Sequence, residues 1–515
     1  MENYSWVVLA ITCLVTLLVL LKLFHHHKQN LPPGPKPWPI IGNLHLLGSV
    51  PHKSLHKLTI TYGDLMLLKF GTRNVLIVSS PEMAREFLKT NDANWASRPQ
   101  LAAGKYTAYN YHDMTWAPYG PFWKQARRIY LNHIFNSKCL DSFEYIRVEE
   151  MQNLIARLFD LSMLGKPILL RQHLTRYTLT SICRTVLGGK YFSESNGGNN
   201  NEKSIISLEK LQDMLDKWFL LNGVINIGDW IPWLGFLDLQ GYVKEMKELH
   251  KNLDKFNNFV LDDHKAKRDQ GDKNFVARDM VDVLLQQVED PNLHLKLNTD
   301  SVKGLMQDLL AGGTDTSATT IEWAFHELIK QPNMIKKAQK ELDRVIGDGR
   351  WVQERDFTQL TYIESIIKET LRLHPVSTML PPRTSLGDSH IAGYDIPKGT
   401  ILMVNTWSIG RNSRHWESPE EFIPERFEGK DIDVTGQHFA LLPFGAGRRK
   451  CPGYSLGIRI IRTTLANLLH GFDWQLPHDI NSQDISMDEI YGLTTHPKLA
   501  LHLIMVPRLP RHLYK

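Results

Sequence analysis

The chain has 515 residues, 42% of them apolar and 22% charged, with 34 glycines and 26 prolines. That is ordinary globular usage, so disorder, collagen and coiled coil are excluded as the main architecture. A net charge of +5 is too weak to point to nucleic acid. Four cysteines, at 13, 139, 183 and 451, make no disulfide framework and point to a reducing compartment.

Residues Asn3 to Leu21 carry no charge, and about 19 helical residues span roughly 28 Å, close to one bilayer core. Glu2 precedes the run, while Lys22, Lys28 and Lys36 follow it. A transmembrane anchor over 3–24 with the bulk of the chain cytosolic is the expectation. Five prolines within 32–39 cannot continue a helix, so 30–45 reads as a stiff hinge. Leu65 to Phe70 and Val75 to Val78 read as strands joined through Gly71 to Asn74. Ser80-Pro81-Glu82 is a helix start, and helical periodicity dominates from there to about 375. Ser193 to Glu202 is a solvated loop. Thr299 to Lys330 is a long helix that stops before Pro332, with Gly312-Gly313-Thr314-Asp315-Thr316 near its middle. Two glycines followed by hydroxyl residues weaken and bend a helix interior; alone, they fit a tolerated kink as well as a functional one. Beyond 375, Gly393 to Gly399 and Leu499 to Val506 suggest turns and short strands. The fold class is mainly α with a small β part.

The segment Pro443-Phe444-Gly445-Ala446-Gly447-Arg448-Arg449-Lys450-Cys451-Pro452-Gly453 places one cysteine among glycines and three cations, ahead of an apolar helix from Tyr454. Cations and helix N-termini favour a thiolate, and backbone N–H groups can tune it. From these residues alone, a functional thiolate and a small buried turn cysteine stand level.

The same segment resembles the signature of the cytochrome P-450 superfamily, Phe-x-x-Gly-x-Arg-x-Cys-x-Gly, matched by Phe444, Gly447, Arg449, Cys451 and Gly453. Glu369-Thr370-Leu371-Arg372, Pro424-Glu425-Arg426-Phe427 and Trp123-Lys124-Gln125-Ala126-Arg127 resemble three further family motifs in the family's order. The resemblance covers nearly the whole chain and implies the cytochrome P-450 fold, with 46–515 a haem-thiolate monooxygenase domain. It implies haem b with Cys451 as the thiolate metal ligand, beside Phe444 and Gly453. A thiolate pushes electron density onto iron and favours O–O cleavage. Buried propionates must be paired; the resemblance assigns Arg127, Arg383 and Arg449 to them, with Trp123 donating its indole N–H. Glu369 and Arg372, three apart on a helix, are implied to be buried and linked to Arg426. Asp315 and Thr316 match the acid–alcohol pair that delivers protons to dioxygen.

The chain has no Gly-x-Gly-x-x-Gly turn and no iron–sulfur spacing, so electrons must come from another protein. The resemblance implies the membrane-bound NADPH–cytochrome reductase, with cytochrome b5 as a second donor. Lys124, Arg128, Lys138, Arg448 and Lys450 offer it a positive face. Substrate-lining residues by analogy are Tyr106, Trp116, Trp218, Val376, Met379, Leu380 and Leu493, an apolar and aromatic wall suited to a lipophile. The wording of the motifs resembles plant A-type members, which include flavonoid 3′-hydroxylases and oxygenases of terpenoid and lignan pathways. Their usual run after His374-Pro375 is replaced here by Val376-Ser377-Thr378-Met379. The expectation is an NADPH-supported monooxygenase of the endoplasmic reticulum membrane, single-pass, hydroxylating a terpenoid or phenolic. Oxidative C–C cleavage or rearrangement, as in homoterpene formation, is the enzyme alternative. A haem-thiolate binding or sensor protein is the alternative of another class.

Overall fold

Two apolar runs of alternating direction build the main sheet. Strands β1 (Leu65–Phe70) and β2 (Arg73–Val78) pair antiparallel, with Leu65 opposite Val78 and Leu68 opposite Val75. The second strand begins two residues earlier than the apolar run suggests, because Arg73 and Asn74 complete the ladder. Arg383–Thr384 (β3) and Ile401–Val404 (β4) extend the sheet in the order β1-β2-β4-β3, β4 running parallel to β2. Side chains alternate across a strand, and the sheet is apolar on both faces. Leu76, Val78, Leu402 and Val404 pack on one side; Val75, Ile77, Met66 and Leu68 pack on the other.

The computed structural model describes residues 11–14, 16, 30–193, 205–269, 277–289 and 295–515. Helices make up most of the remainder. Those that position the site are α1 (Pro121–Ile129), α2 (Leu170–Leu187), α3 (Leu208–Gly223), α4 (Thr299–Lys330), α5 (Thr361–Leu373) and α6 (Tyr454–Gly471). Helix α4 starts where Asn298 Oδ1 accepts the Ser301 N–H at 2.8 Å, an N-cap. It ends at Lys330, two residues before Pro332, which opens the next helix. It stays helical through Gly312 and Gly313. Buried on nearly every side, α4 packs most extensively on α2 and then on α6; a helix buried all round lies at the centre of a fold. The core around these helices is continuous.

The C-terminal region supplies β5 (Phe472–Gln475), β6 (Glu489–Ile490), β7 (His496–Pro497) and β8 (His502–Pro507). β8 lies between β5 and the short strand Ile168–Leu169, and β6 pairs with β7. The proline-rich segment is not a free spacer. Pro33 O accepts the Leu67 N–H of β1 at 2.8 Å, and a Cβ at Gly34 would sit 1.9 Å from Leu67 O.

The chain adopts a mainly α fold with a small β part, as expected, but the expected membrane span is corrected. The 3–24 stretch lies almost entirely outside the described residues; only 11–14 and 16 of it are described, as helix. Among the described residues no helix is long and apolar enough to cross a membrane, which takes about 20 apolar residues. The single-pass endoplasmic-reticulum topology drawn from that span falls with it. Residues 194–202 of the expected solvated loop also lie outside the described residues.

Candidate active site

Cys451 sits in the loop that leads into α6. Its N–H donates to Phe444 O at 2.9 Å, which closes the loop around the sulfur. The loop turns through left-handed backbone at Gly445 (φ 65°) and Gly447 (φ 70°). At Gly447 a Cβ would also lie 2.1 Å from Leu88 O, so only glycine fits. Burial pushes the Cys451 thiol up, while the Gly453 N–H and the charges of Arg127 and Lys450 pull it back.

Across from the cysteine runs the middle of α4. Gly312, Gly313, Thr316 and Ser317 line a cavity of about 300 Å³ whose other wall includes Phe444, Cys451 and Gly453. The walls between are largely apolar. Thr316 Oγ1 donates back to Gly312 O at 2.9 Å. Asp315 does not line this cavity. It is buried about 100° round the helix from Thr316, against the C-terminal segment, where Thr494 Oγ1 donates to its Oδ2 at 2.7 Å.

Three guanidinium groups meet at one edge of the cavity: Arg98, Arg383 and Arg449. Arg383 pairs with Asp92 at 2.9 Å. Arg98 donates to the carbonyls of Thr115, Pro381 and Pro382. Arg449 donates to those of Ala96, Met114 and Ala117. Its guanidinium also lies 4.3 Å from the Trp123 ring centre. Arg98 and Arg449 thus hydrogen-bond neutral acceptors. Burial and neighbouring guanidiniums push Arg449 down to about 8 and Arg98 to about 9, with Asp113 opposing; burial alone pushes Arg383 to about 10, with Asp92 opposing. Buried cations in this condition call for an anion. A soft thiol on one wall and under-neutralised guanidiniums at the rim fit a metalloporphyrin bearing two carboxylates. Arg127 is half-buried at the same cavity near Cys451. The Trp123 indole N–H donates to Met114 O at 3.2 Å, so in this structure it is engaged by the backbone.

Glu369, Arg372 and Arg426 come together behind the site. Arg372 Nε and Nη2 reach the two oxygens of Glu369 at 2.6 and 2.8 Å, and Arg426 Nε reaches Oε1 at 2.9 Å. Glu369 and Arg372 are 0% and 1% exposed. Arg372 also donates to the carbonyls of Gly410, Pro419 and Glu421, so it ties α5 to the loop ahead of Cys451.

Of the substrate-lining residues named from sequence, Trp218, Val376, Leu380 and Leu493 line the cavity. Tyr106, Trp116 and Met379 lie elsewhere. Trp116 turns its N–H to Asn222 Oδ1 at 2.7 Å. Met379 packs under the sheet with Ile401. Tyr106 sits beside Lys105 and Lys247. Among the cavity residues that the sequence reading did not name are Arg98 and Asp308. Arg98 is the cation two residues after Trp95-Ala96, and Asp308 stands among Leu305, Met306, Leu309 and Leu310 of α4; a charge beside apolar residues was the available signal. Asp308 Oδ2 accepts Met114 N–H, Thr115 N–H and Thr115 Oγ1–H at 2.8, 3.0 and 3.2 Å. Burial still raises it to about 6.

The family model for cytochrome P450 matches residues 32–504. A trimethyltridecatetraene synthase of Zea mays is 42% identical over 506 residues, 94% of this chain and 90% of that protein. A flavonoid 3′-monooxygenase of Petunia hybrida is 39% identical over 525 residues, covering 100% of both. A zebra fish cytochrome P450 solved with progesterone superposes with a TM-score of 0.72 at 25% identity, over 89% of this chain and 99% of that one.

Proposed function

This chain belongs to the cytochrome P450 family and is a haem monooxygenase of its plant branch; from that premise we propose that Cys451 is the thiolate ligand and that the enzyme hydroxylates a lipophilic terpenoid or phenolic. The observation that carries the reading is the cavity with Cys451 on one wall, Thr316 on the other and apolar side chains between. The haem, when bound, supplies the activation of O2, with electrons from NADPH.

The chain's own residues then have distinct tasks. Arg98, Arg383 and Arg449 pair with the propionates, Arg127 adds positive charge near the sulfur, and Phe444 and Gly453 pack about it. Trp218, Phe219, Val376, Leu380 and Leu493 exclude water and orient an apolar substrate. Thr316 lines the cavity, and the Asp315 carboxylate beside it on the helix passes protons on toward it. The electron donor is a flavin reductase using NADPH, with cytochrome b5 as a second donor. Lys124, Arg128 and Lys138 are exposed for docking; Arg448 shares its charge with Asp92 at 3.0 Å, and Lys450 lies 3.5 Å from the centre of the Tyr454 ring.

Oxidative C–C cleavage is the second reading. Two relatives at 42% identity are named for forming polyene hydrocarbons, trimethyltridecatetraene and dimethylnonatriene, products that keep no oxygen. The test is turnover with reductase, NADPH and 18O2 on panels of flavonoids and acyclic terpenoid alcohols. Hydroxylation leaves one labelled oxygen in a product of unchanged carbon count; cleavage shortens the carbon skeleton. Absence of a thiolate-type carbon monoxide spectrum from the ferrous protein would refute both.

A further inference from the structure

Neighbouring residues on an α-helix point about 100° apart. Thr316 faces the cavity, so Asp315 faces away, toward the C-terminal segment that holds Thr494 and β7. There its carboxylate is enclosed. Oδ2 accepts Thr494 Oγ1–H at 2.7 Å and lies 3.2 Å from His496 Nε2; Oδ1 accepts Thr319 Oγ1–H at 3.2 Å. The same two hydroxyls contact the imidazole: Thr319 Oγ1 is 3.0 Å from Nδ1, and Thr494 Oγ1 is 2.9 Å from Nε2. One carboxylate, one imidazole and two alcohols form a closed ring. The ring has a wet end, because the His496 side chain is 24% exposed and that of Asp315 only 9%.

The charged groups around His496 come from three helices. Asp315 and Glu322 face it from α4, Arg171 from α2 and Asp216 from α3. Arg171 is committed to Glu322 at 2.7 Å and to Pro497 O at 2.7 Å, and a guanidinium does not give up its proton. The surplus of negative charge favours the imidazolium. The Asp315 carboxyl is held below its usual value and His496 above its own, each mainly by the other against the cost of burial. Imidazole alone among these groups ordinarily exchanges its proton near neutral pH.

We propose that His496 is the positioning residue that supplies protons to Asp315. The imidazolium passes the proton on Nε2 to Asp315 Oδ2. The neutral ring, which keeps the proton on Nδ1, then regains one from solvent on Nε2, and Asp315 returns to the carboxylate when its proton moves on toward Thr316. Each cycle moves one solvent proton inward and leaves both side chains as they began. Thr319 and Thr494 keep the carboxylate and ring in register. The inference rests on reading Asp315 and Thr316 as the proton-delivery pair.

Two measurements test it. Histidine C2-hydrogen exchange, followed by mass spectrometry on the holoenzyme, gives the titration midpoint of His496. It is expected above the ordinary value of about 6.5 and to fall in Asp315→Asn. A midpoint at or below that value, or one unmoved in Asp315→Asn, overturns the ion pair. The second measurement is peroxide released per NADPH consumed by holoenzyme with reductase, without added lipophile, from about pH 6 to about pH 9. In the wild type the peroxide share rises as His496 loses its proton. His496→Gln keeps an N–H donor for Asp315 but has no titrating proton; its share is expected to be high and flat with pH, about twofold or more above wild type at neutrality. A His496→Gln profile matching wild type, with an unaltered carbon monoxide spectrum, overturns the proposal. Asp315→Asn separates the two levels. If it too leaves the share unchanged, the proton-delivery reading of Asp315 fails; if it raises the share while His496→Gln does not, only the His496 assignment fails.

Discussion

Arg372→Ala removes five hydrogen bonds from a site that water does not reach. Two go to Glu369 and three to the carbonyls of Gly410, Pro419 and Glu421. Glu369 keeps Arg426 and the Ile423 N–H on Oε1, but Oε2 loses the partner it has. Removing one member of a buried ion pair costs about 3–5 kcal/mol, and an orphaned buried acceptor adds about 1–3 kcal/mol. The loss therefore approaches the whole stability of a typical domain, about 5–15 kcal/mol. The assay is haem content by the carbon monoxide spectrum, with urea midpoints for the fraction that assembles. Arg372→Ala should yield little or no stable haem protein. The decisive comparison is a double-mutant cycle with Glu369→Gln. Without the stranded charge, the double variant should be less destabilised than the summed singles by about 0.5–3 kcal/mol. Normal haem content in Arg372→Ala, or strict additivity in the cycle, would refute the reasoning.

Three more expectations follow from local geometry. Gly447→Ala, which meets Leu88 O at 2.1 Å, should abolish haem incorporation; Gly445→Ala, with 3.5 Å to the nearest atom, should cost only the left-handed backbone, about 1–2 kcal/mol, and thermal melts will separate them. Gly312→Ala meets nothing within 4 Å, so it should stabilise α4 by about 1 kcal/mol while narrowing the cavity, seen as a higher melting point with weaker substrate-induced spectral shifts. Glu489 is held down to about 2 by His52 and by Lys53, 2.6 Å away, against the cost of burial. Its stabilisation, about 3 kcal/mol, is fully present above the unfolded carboxyl value and is lost as pH falls from about 4.5 toward 2. Glu489→Gln should therefore lower the urea midpoint at pH 6, by less at pH 3, and leave it nearly unchanged only below about pH 2.

Helix α4 was legible end to end, because Asn298 and Pro332 punctuate an apolar run. The cysteine loop was legible because its glycines and cations cluster in sequence. What escaped lies where partners are distant in the chain. Arg98 and Arg449 are 351 positions apart, and nothing local says that they converge. The bearing of Asp315 was also hidden: adjacency to Thr316 suggests a shared target, whereas helical geometry turns the two apart. Met379 and Leu380 divide in the same way, one under the sheet and one into the cavity. The docking of the proline-rich hinge was hidden too, because the bond from Leu67 to Pro33 joins a strand to a segment with no pattern of its own.

Asp308 carries a consequence for how one wall of the chamber is held. The stretch 113–115 has no regular structure, and its backbone hangs by two amides and a hydroxyl from one carboxylate oxygen. That peg stands on the same rod that carries Thr316, two turns away. A molecule offering its own donors to Asp308 would compete for the peg, so the order of that stretch and the position of Thr316 hang on one rigid part.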